Sequence, residues 1–219
     1  MTIDLFISCV MDQFYPETAK NVVKILDAAS IDVDYNPEQT CCGRFAFTSG
    51  FVDEAKELGE KFLKDFPNDR PIVGVSASCV GYIKTRYHEL FYNTASHLEY
   101  KRIVNNIYEF TDFLVNKVNI TNFGAEFNHK VVYQDTCCSL RELGLKDEGR
   151  KLLSNVKGIE ILDMKYPEFC CGMGSGMFSI QHEAISVAMA ERKIKDAMSA
   201  GAEYIITKVS MLIGTPLKV

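Results

Sequence analysis

The chain has 219 residues, 47% of them hydrophobic, and a formal net charge of −5. That apolar fraction supports a buried core of one large domain or two small ones. The acidic balance and scattered Lys and Arg exclude nucleic acid as a main partner, because phosphate binding needs a basic face.

In chain order, Leu5-Phe6-Ile7-Ser8 reads as an extended apolar segment running into Cys9. A helix is expected from Pro16-Glu17, a proline and an acid being favourable in a first turn. Ile31-Asp32-Val33 alternates like a strand and leads to Cys41-Cys42-Gly43. Residues 52–66 read as a helix and 72–75 as an apolar strand entering Ser76-Ala77-Ser78-Cys79. Between 98 and 117, Ile103, Ile107, Phe110, Phe113 and Leu114 recur at helical spacing and predict an amphipathic connector helix. The polar stretch 119–130 marks the boundary, giving domains 1–118 and 119–219.

The order then repeats with an offset of about 128 residues, the interval from Cys9 to Cys137. Val132-Tyr133-Gln134 runs into Cys137, Ile159-Glu160-Ile161 alternates, Cys170-Cys171-Gly172 follows, then a helix over 181–199 and a strand over 204–207. Each half reads strand, helix, strand, cysteine loop, helix, strand. The fold class expected is α/β: two tandem, internally duplicated Rossmann-like units, each a parallel sheet with helices on both faces.

This layout sets Cys9, Cys41, Cys42 and Cys79 at the carboxyl ends of parallel strands, where open α/β sheets bind ligands. Four thiolates suit zinc, a [4Fe–4S] cluster or a non-cubane iron–sulfur cluster. Zinc ligands normally stand about two to four residues apart. Adjacent cysteines reach different irons of one cluster, which favours iron–sulfur; zinc and thiol–disulfide chemistry stay open. Gly43 and Gly172 are expected to let the chain turn tightly and sulfides approach.

The second set holds Cys137, Cys170 and Cys171, with Cys138 adjacent. The position matching Cys79 falls near Ser210, a poor iron ligand, so Cys138, or more weakly His182, is the candidate replacement. One cluster is expected, with the second site incomplete. Met173-Gly174-Ser175-Gly176-Met177 lacks the lysine of a phosphate loop, so nucleotide binding is not expected.

Arg44 and Arg141 stand beside the two sets, to balance cluster charge, to face an acidic substrate, or to form ordinary surface ion pairs. His88, His97 and His129 read as surface or helix-end residues, and the Met-rich helix 187–198 as core. No run reaches the about 18 apolar residues of a membrane span, and residues 1–20 lack a signal-peptide pattern. A cytoplasmic protein is expected, in which eight cysteines are ligands or redox groups rather than disulfides.

Phe6-Ile7-Ser8-Cys9-Val10-Met11-Asp12-Gln13-Phe14-Tyr15-Pro16, both Cys-Cys-Gly triplets, and segments 76–79, 108–114, 137–141 and 170–178 carry a family resemblance. They resemble the cysteine-rich (CCG) domains of heterodisulfide reductase, glycolate oxidase and anaerobic glycerol-3-phosphate dehydrogenase, carried there on iron–sulfur subunits. The lactate-utilisation protein A family is the nearest of these, over almost the whole chain. The resemblance implies a cytoplasmic iron–sulfur subunit, inactive alone, of a multi-protein system oxidising L-lactate to pyruvate. It implies a ferredoxin-like partner subunit and a third small protein. Cys9, Cys41, Cys42, Cys79, Cys137, Cys170 and Cys171 would be its cluster ligands.

There are departures. The family's last motif has a cysteine followed by Leu-Met, where this chain reads Val209-Ser210-Met211-Leu212 and ends at Val219 while relatives run on. Cys138 stands where histidine is common. The alternatives are a heterodisulfide-reductase-like thiol–disulfide oxidoreductase subunit and a zinc-stabilised binding module.

Overall fold

The computed structural model describes residues 1–174 and 177–208, with backbone alone for Met177. The chain forms two compact units, Met1–Ile120 and a second beginning at Thr121.

The first unit runs β1 (Thr2–Phe6), α1 (Cys9–Phe14), α2 (Pro16–Ala28), β2 (Asp32–Asp34), α3 (Arg44–Thr48) and α4 (Val52–Asp65). It continues with β3 (Ile72–Gly74), α5 (Ala77–Phe91), α6 (His97–Asn106), β4 (Ile107–Glu109) and the single turn α7 (Phe110–Asp112). Its sheet has the order β2-β1-β3-β4, and every pairing is parallel. The inner strands β1 and β3 are apolar and buried on both faces, as a sheet covered by helices on both sides requires. Asp4 is the exception on β1: buried, it is held by Arg70 at 2.7 Å. The edge strand β2 leaves both its aspartates exposed.

Aromatic side chains fill the space between this sheet and its helices. Phe6 meets Phe62 edge-on with centroids 4.9 Å apart, and Tyr87 lies within 6.0 Å of Phe62 and 5.3 Å of Phe91. Such pairs add about 0.5–1.5 kcal/mol each beyond the area they bury.

The connector expected as one helix is four elements. Helix α6 stops at Asn106, and Ile107-Tyr108-Glu109 pairs with Ile72-Val73-Gly74 as a fourth strand. The Glu109 carboxylate then accepts from the backbone N–H of Thr111 and Asp112, starting the turn that leads into a π-helical segment, Phe113–Lys117. An apolar residue at every third or fourth place serves both arrangements: Ile103, Ile107, Phe113 and Leu114 are all buried here.

The second unit runs β5 (Lys130–Gln134), a π-helical turn (Cys138–Glu142), α8 (Glu148–Leu153), β6 (Glu160–Leu162), α9 (Met177–Gln181), α10 (Glu183–Ser199) and β7 (Tyr204–Thr207). Its sheet is parallel with the order β6-β5-β7. The fold is therefore two repeats, each a parallel α/β unit.

Among the described residues, Val132, Met164, Ala197 and Ala202 form a core cluster of the second unit. The Met-rich helix, expected as core, gives it only Ala197. In α10 only Lys193 and Ala197 are buried, while Val187, Ile194 and Met198 are exposed. Its apolar residues are spread around the helix rather than gathered on one stripe, so packing can cover only a few of them. Among the described residues no helix is long and apolar enough to cross a membrane.

Candidate functional site

In the first unit the chain leaves the sheet in opposite directions after β1 and β3, which lie side by side. This is the switch point at which open α/β sheets form a crevice. Cys9 opens α1 three residues beyond β1, and Cys79 lies in the first turn of α5 beyond β3. Cys41 and Cys42 come from the loop after β2. All four thiols are free: Cys9 is exposed, Cys41 and Cys79 are half-buried, and Cys42 is buried.

They hydrogen-bond in a row, Cys9 to Cys41, Cys41 to Cys42, Cys42 to Cys79. Donors and acceptors alternate along it. Cys42 donates to both neighbours and is pushed well above its ordinary pKa, burial adding to the effect. Cys9 is raised first by its bond to Cys41. Cys41, accepting from Cys42 and Cys9 and from the Gly43 N–H at 3.4 Å, is lowered to about 3. Cys79 is lowered too, first by Cys42 and then, against its burial, by the Ser76 hydroxyl. Ser76 occupies the N-cap of α5 without capping it, its hydroxyl being turned to Cys79 instead.

Arg44, the first residue of α3, reaches across to donate to the Ser78 carbonyl at 2.7 Å. Its charge favours the Cys79 thiolate. Tyr87, on α5, donates to the Cys42 carbonyl at 3.0 Å and anchors the triplet from behind.

Gly43 has φ +88°, and a Cβ there would stand 2.9 Å from the Ala55 carbonyl oxygen of α4. Gly172 has φ +84°, and its Cβ would stand 2.4 Å from the Ser186 carbonyl oxygen of α10. Both triplets thus end in a left-handed turn against a helix backbone. The tight turn is as expected. It accounts for glycine at both places, and each turn also packs closely on a helix backbone.

Two buried hydroxyls beside these thiols find no protein partner, Ser8 Oγ and Tyr82 Oη. Ser8 is the N-cap of α1 and makes no cap hydrogen bond. Buried orphans of this kind mark a place for a polar or anionic group. The thiolate-rich donor set suits an iron–sulfur cluster or a soft metal. Among the described residues, no three His, Cys, Asp or Glu side chains form a set for one metal ion; the four thiols make a row.

The second unit repeats part of this. Cys137 is exposed, Cys138 and Cys170 are half-buried, and Cys171 is buried, like Cys42. Cys137 is lowered to about 6, first by a hydrogen bond from Cys138, with a smaller share from the Arg141 charge. Ser210 lies outside the described residues, as do Ser175 and Gly176 of the glycine loop. A groove of about 530 Å³ runs beside Cys170, lined by Arg141, Lys165, Tyr166 and Phe169 among others.

Of the histidines, His97 packs against Tyr92 and Tyr100, His129 pairs with Glu203 at 2.6 Å, and His182 lies against Phe178. His88 is in the last turn of α5.

Sequence reasoning passed over three features. Tyr82 stands one turn beyond Cys79 on α5, and its place in an apolar run was the available signal. Lys193 is buried on α10 and donates to the Tyr166 and Pro167 carbonyls at 2.8 and 3.0 Å, fixing the loop ahead of Cys170. Counting from the residues that face the triplet glycines, Ala55 and Ser186, Lys193 takes the place of Phe62. The third is the pair Asp135–Arg150, whose two hydrogen bonds of 2.6 and 2.9 Å fix the residue after β5. No motif links those two positions.

The family model described as "Cysteine-rich domain" (CCG) matches residues 3–84 and 131–210. The chain is 37% identical over 206 residues to "Lactate utilization protein A" of Oceanobacillus iheyensis, covering 94% of this chain and 84% of that protein. It is 36% identical over 212 residues to "Lactate utilization protein A 2" of Bacillus cereus strain Q1, covering 94% and 85%. With "Lactate utilization protein A 1" of Bacillus mycoides it shares 37% over 210 residues, covering 94% and 84%. The chain therefore belongs to the lactate-utilisation protein A family and carries two matches to the CCG cysteine-rich domain.

Proposed function

We propose that this chain is a cytoplasmic iron–sulfur subunit of a multi-protein system that oxidises L-lactate to pyruvate, releasing two electrons and two protons per lactate. One observation carries the reading: four thiols from three strand ends meet in a hydrogen-bonded row around a buried Cys42. Family membership supplies the substrate, because the relatives are named for lactate utilisation. Cys9, Cys41, Cys42 and Cys79 would hold the cluster of the first unit. Cys137, Cys138, Cys170 and Cys171 are the donors available in the second. A bound [4Fe–4S] or non-cubane cluster supplies one-electron acceptance and release at a potential set by charge, hydrogen bonding and exposure.

The chain's own groups do the rest. Ser76 and Arg44 favour charge on Cys79. Tyr87 holds the Cys42 backbone. Burial keeps water from Cys42, while exposed Cys9 leaves one side open to a redox partner. We infer that a ferredoxin-like subunit is that partner, with a third small protein completing the system.

The test is iron and acid-labile sulfide content of protein purified without oxygen. About four irons and four sulfides per chain are expected for one cluster, about eight for two. Cys42→Ser is expected to abolish the first-unit share. Stoichiometric zinc without sulfide would overturn the reading and favour a zinc-stabilised module. Iron–sulfur content with disulfide cleavage and no lactate-dependent reduction would favour thiol–disulfide chemistry instead.

A further inference from the structure

Tyr82 poses a question that packing does not answer. Its ring is fully buried, edge-on to Tyr87 at 5.5 Å and beside Phe47 of α3 at 5.4 Å. A phenylalanine would make the same contacts. The hydroxyl is also buried and has no partner, which is costly for a group that could be a bare ring edge. The neighbouring Tyr87 shows the usual solution, a hydrogen bond from its hydroxyl to the Cys42 carbonyl.

The charged groups acting on Tyr82 are Cys42 first, then Cys41, Arg44 and Glu89. Glu89 is partly exposed and paired with Arg86 at 2.7 Å. Two of the four cysteines are therefore the dominant charges at a buried, unspent donor. Burial, chiefly, also raises the phenol's pKa, which keeps its proton in place at neutral pH.

We propose that the Tyr82 hydroxyl donates a hydrogen bond to the anionic group held by Cys9, Cys41, Cys42 and Cys79, and so sets its reduction potential. The proposal rests on the iron–sulfur reading given above. A donor to cluster sulfur stabilises the more negative, reduced state, so it raises the potential. Tyr82 is a tuning residue and is given no part in bond-making.

The experiment is redox titration, followed by electron paramagnetic resonance, of the anaerobically purified full chain. Wild type is compared with Tyr82→Phe and with 3-fluorotyrosine at position 82, which keeps shape and hydroxyl but donates more strongly. Tyr100→Phe, a buried tyrosine of α6 packed on Phe91 and His97, serves as a packing control. The expected result is unchanged iron and sulfide in all four proteins. The midpoint potential should move down for Tyr82→Phe and up for fluorotyrosine. Potentials and spectra equal to wild type, as a buried water at the hydroxyl would produce, would overturn the proposal while leaving the cluster intact. Should Tyr82→Phe lose iron, the fluorotyrosine protein decides, and an unmoved potential there overturns the proposal. Wild type without iron and sulfide would refute the cluster reading itself and this proposal with it.

Discussion

Removing the guanidinium of Arg150 tests how the second unit holds its first cysteine. Asp135 directly follows β5, two residues ahead of Cys137, and its side chain is 2% exposed. Arg150 grips it with two hydrogen bonds and lies over the Tyr133 ring at 4.7 Å. Breaking a buried pair from one side costs about 3–5 kcal/mol, because the remaining charge is stranded. The Arg150 side chain is 31% exposed, so water can reach the vacated place and the charge term falls to about 2–3 kcal/mol. Losing the cation over Tyr133 adds about 0.5–1 kcal/mol. Arg150→Met should therefore destabilise the second unit by about 3 kcal/mol, which is roughly 150-fold in an opening equilibrium. Hydrogen exchange by mass spectrometry reads this at β5, with β1 in the first unit as internal reference. The double variant Asp135→Asn with Arg150→Met should recover most of the loss, since no charge is stranded. Wild-type exchange in Arg150→Met, or a double variant as weak as the single, would refute the reasoning.

Gly43→Ala and Gly172→Ala should each cost more than the about 1–2 kcal/mol of a left-handed residue, because each new Cβ meets a helix carbonyl. Gly50→Ala, at φ +87° with nothing within 4 Å, should cost the backbone share alone; equal urea midpoint shifts in all three would sink the helix-contact argument. Tyr87→Phe should lose about 1 kcal/mol, read in the same unfolding curves, and no loss would mean the Cys42 carbonyl does not depend on it. The Glu203 carboxyl is held below its ordinary 4.5, first by its bond to His129. A depressed acid stabilises above its unfolded value, so this contribution should vanish as pH falls from about 4.5 through the lower folded value. Glu203→Gln should flatten that part of the stability–pH curve, and an unchanged curve would show that the pair is inert.

How much of this was legible before the fold was known depended on how local each cause is. The triplets stood out because thiols are rare and their spacing recurs; the strands ahead of them stood out because buried parallel strands are short apolar runs. The fourth strand did not. Ile107-Tyr108-Glu109 becomes a strand only because β3 offers it an open edge, a tertiary fact with no trace in a 3.6-residue period. The α10 reading failed for the converse reason: methionines and valines promise burial, but here they are spread around the helix and only Lys193 and Ala197 are buried. Asp135–Arg150 and Lys193 were invisible because each works through partners distant in sequence.

The duplication separates what the architecture needs from what a ligand needs. Both units bury the second cysteine of the triplet and seat its glycine on a helix, so those features belong to the scaffold. The residue ahead of the first cysteine differs in use. In the second unit Thr136 accepts from the Ser139 N–H at 3.1 Å, a bond within its own turn. In the first unit Ser8 makes no such bond and stays unpartnered beside Cys9, as Tyr82 does beyond Cys79. The second unit has an unpaired oxygen as well, Gln134 Oε1, but an amide oxygen is an acceptor and offers nothing to an anionic cluster. It also spends a buried cation, Lys193, on two loop carbonyls where the first unit has Phe62. Unspent donors around four touching thiols are what a bound anionic cluster would use. The first unit has them, so its site should load with iron whether or not the second does.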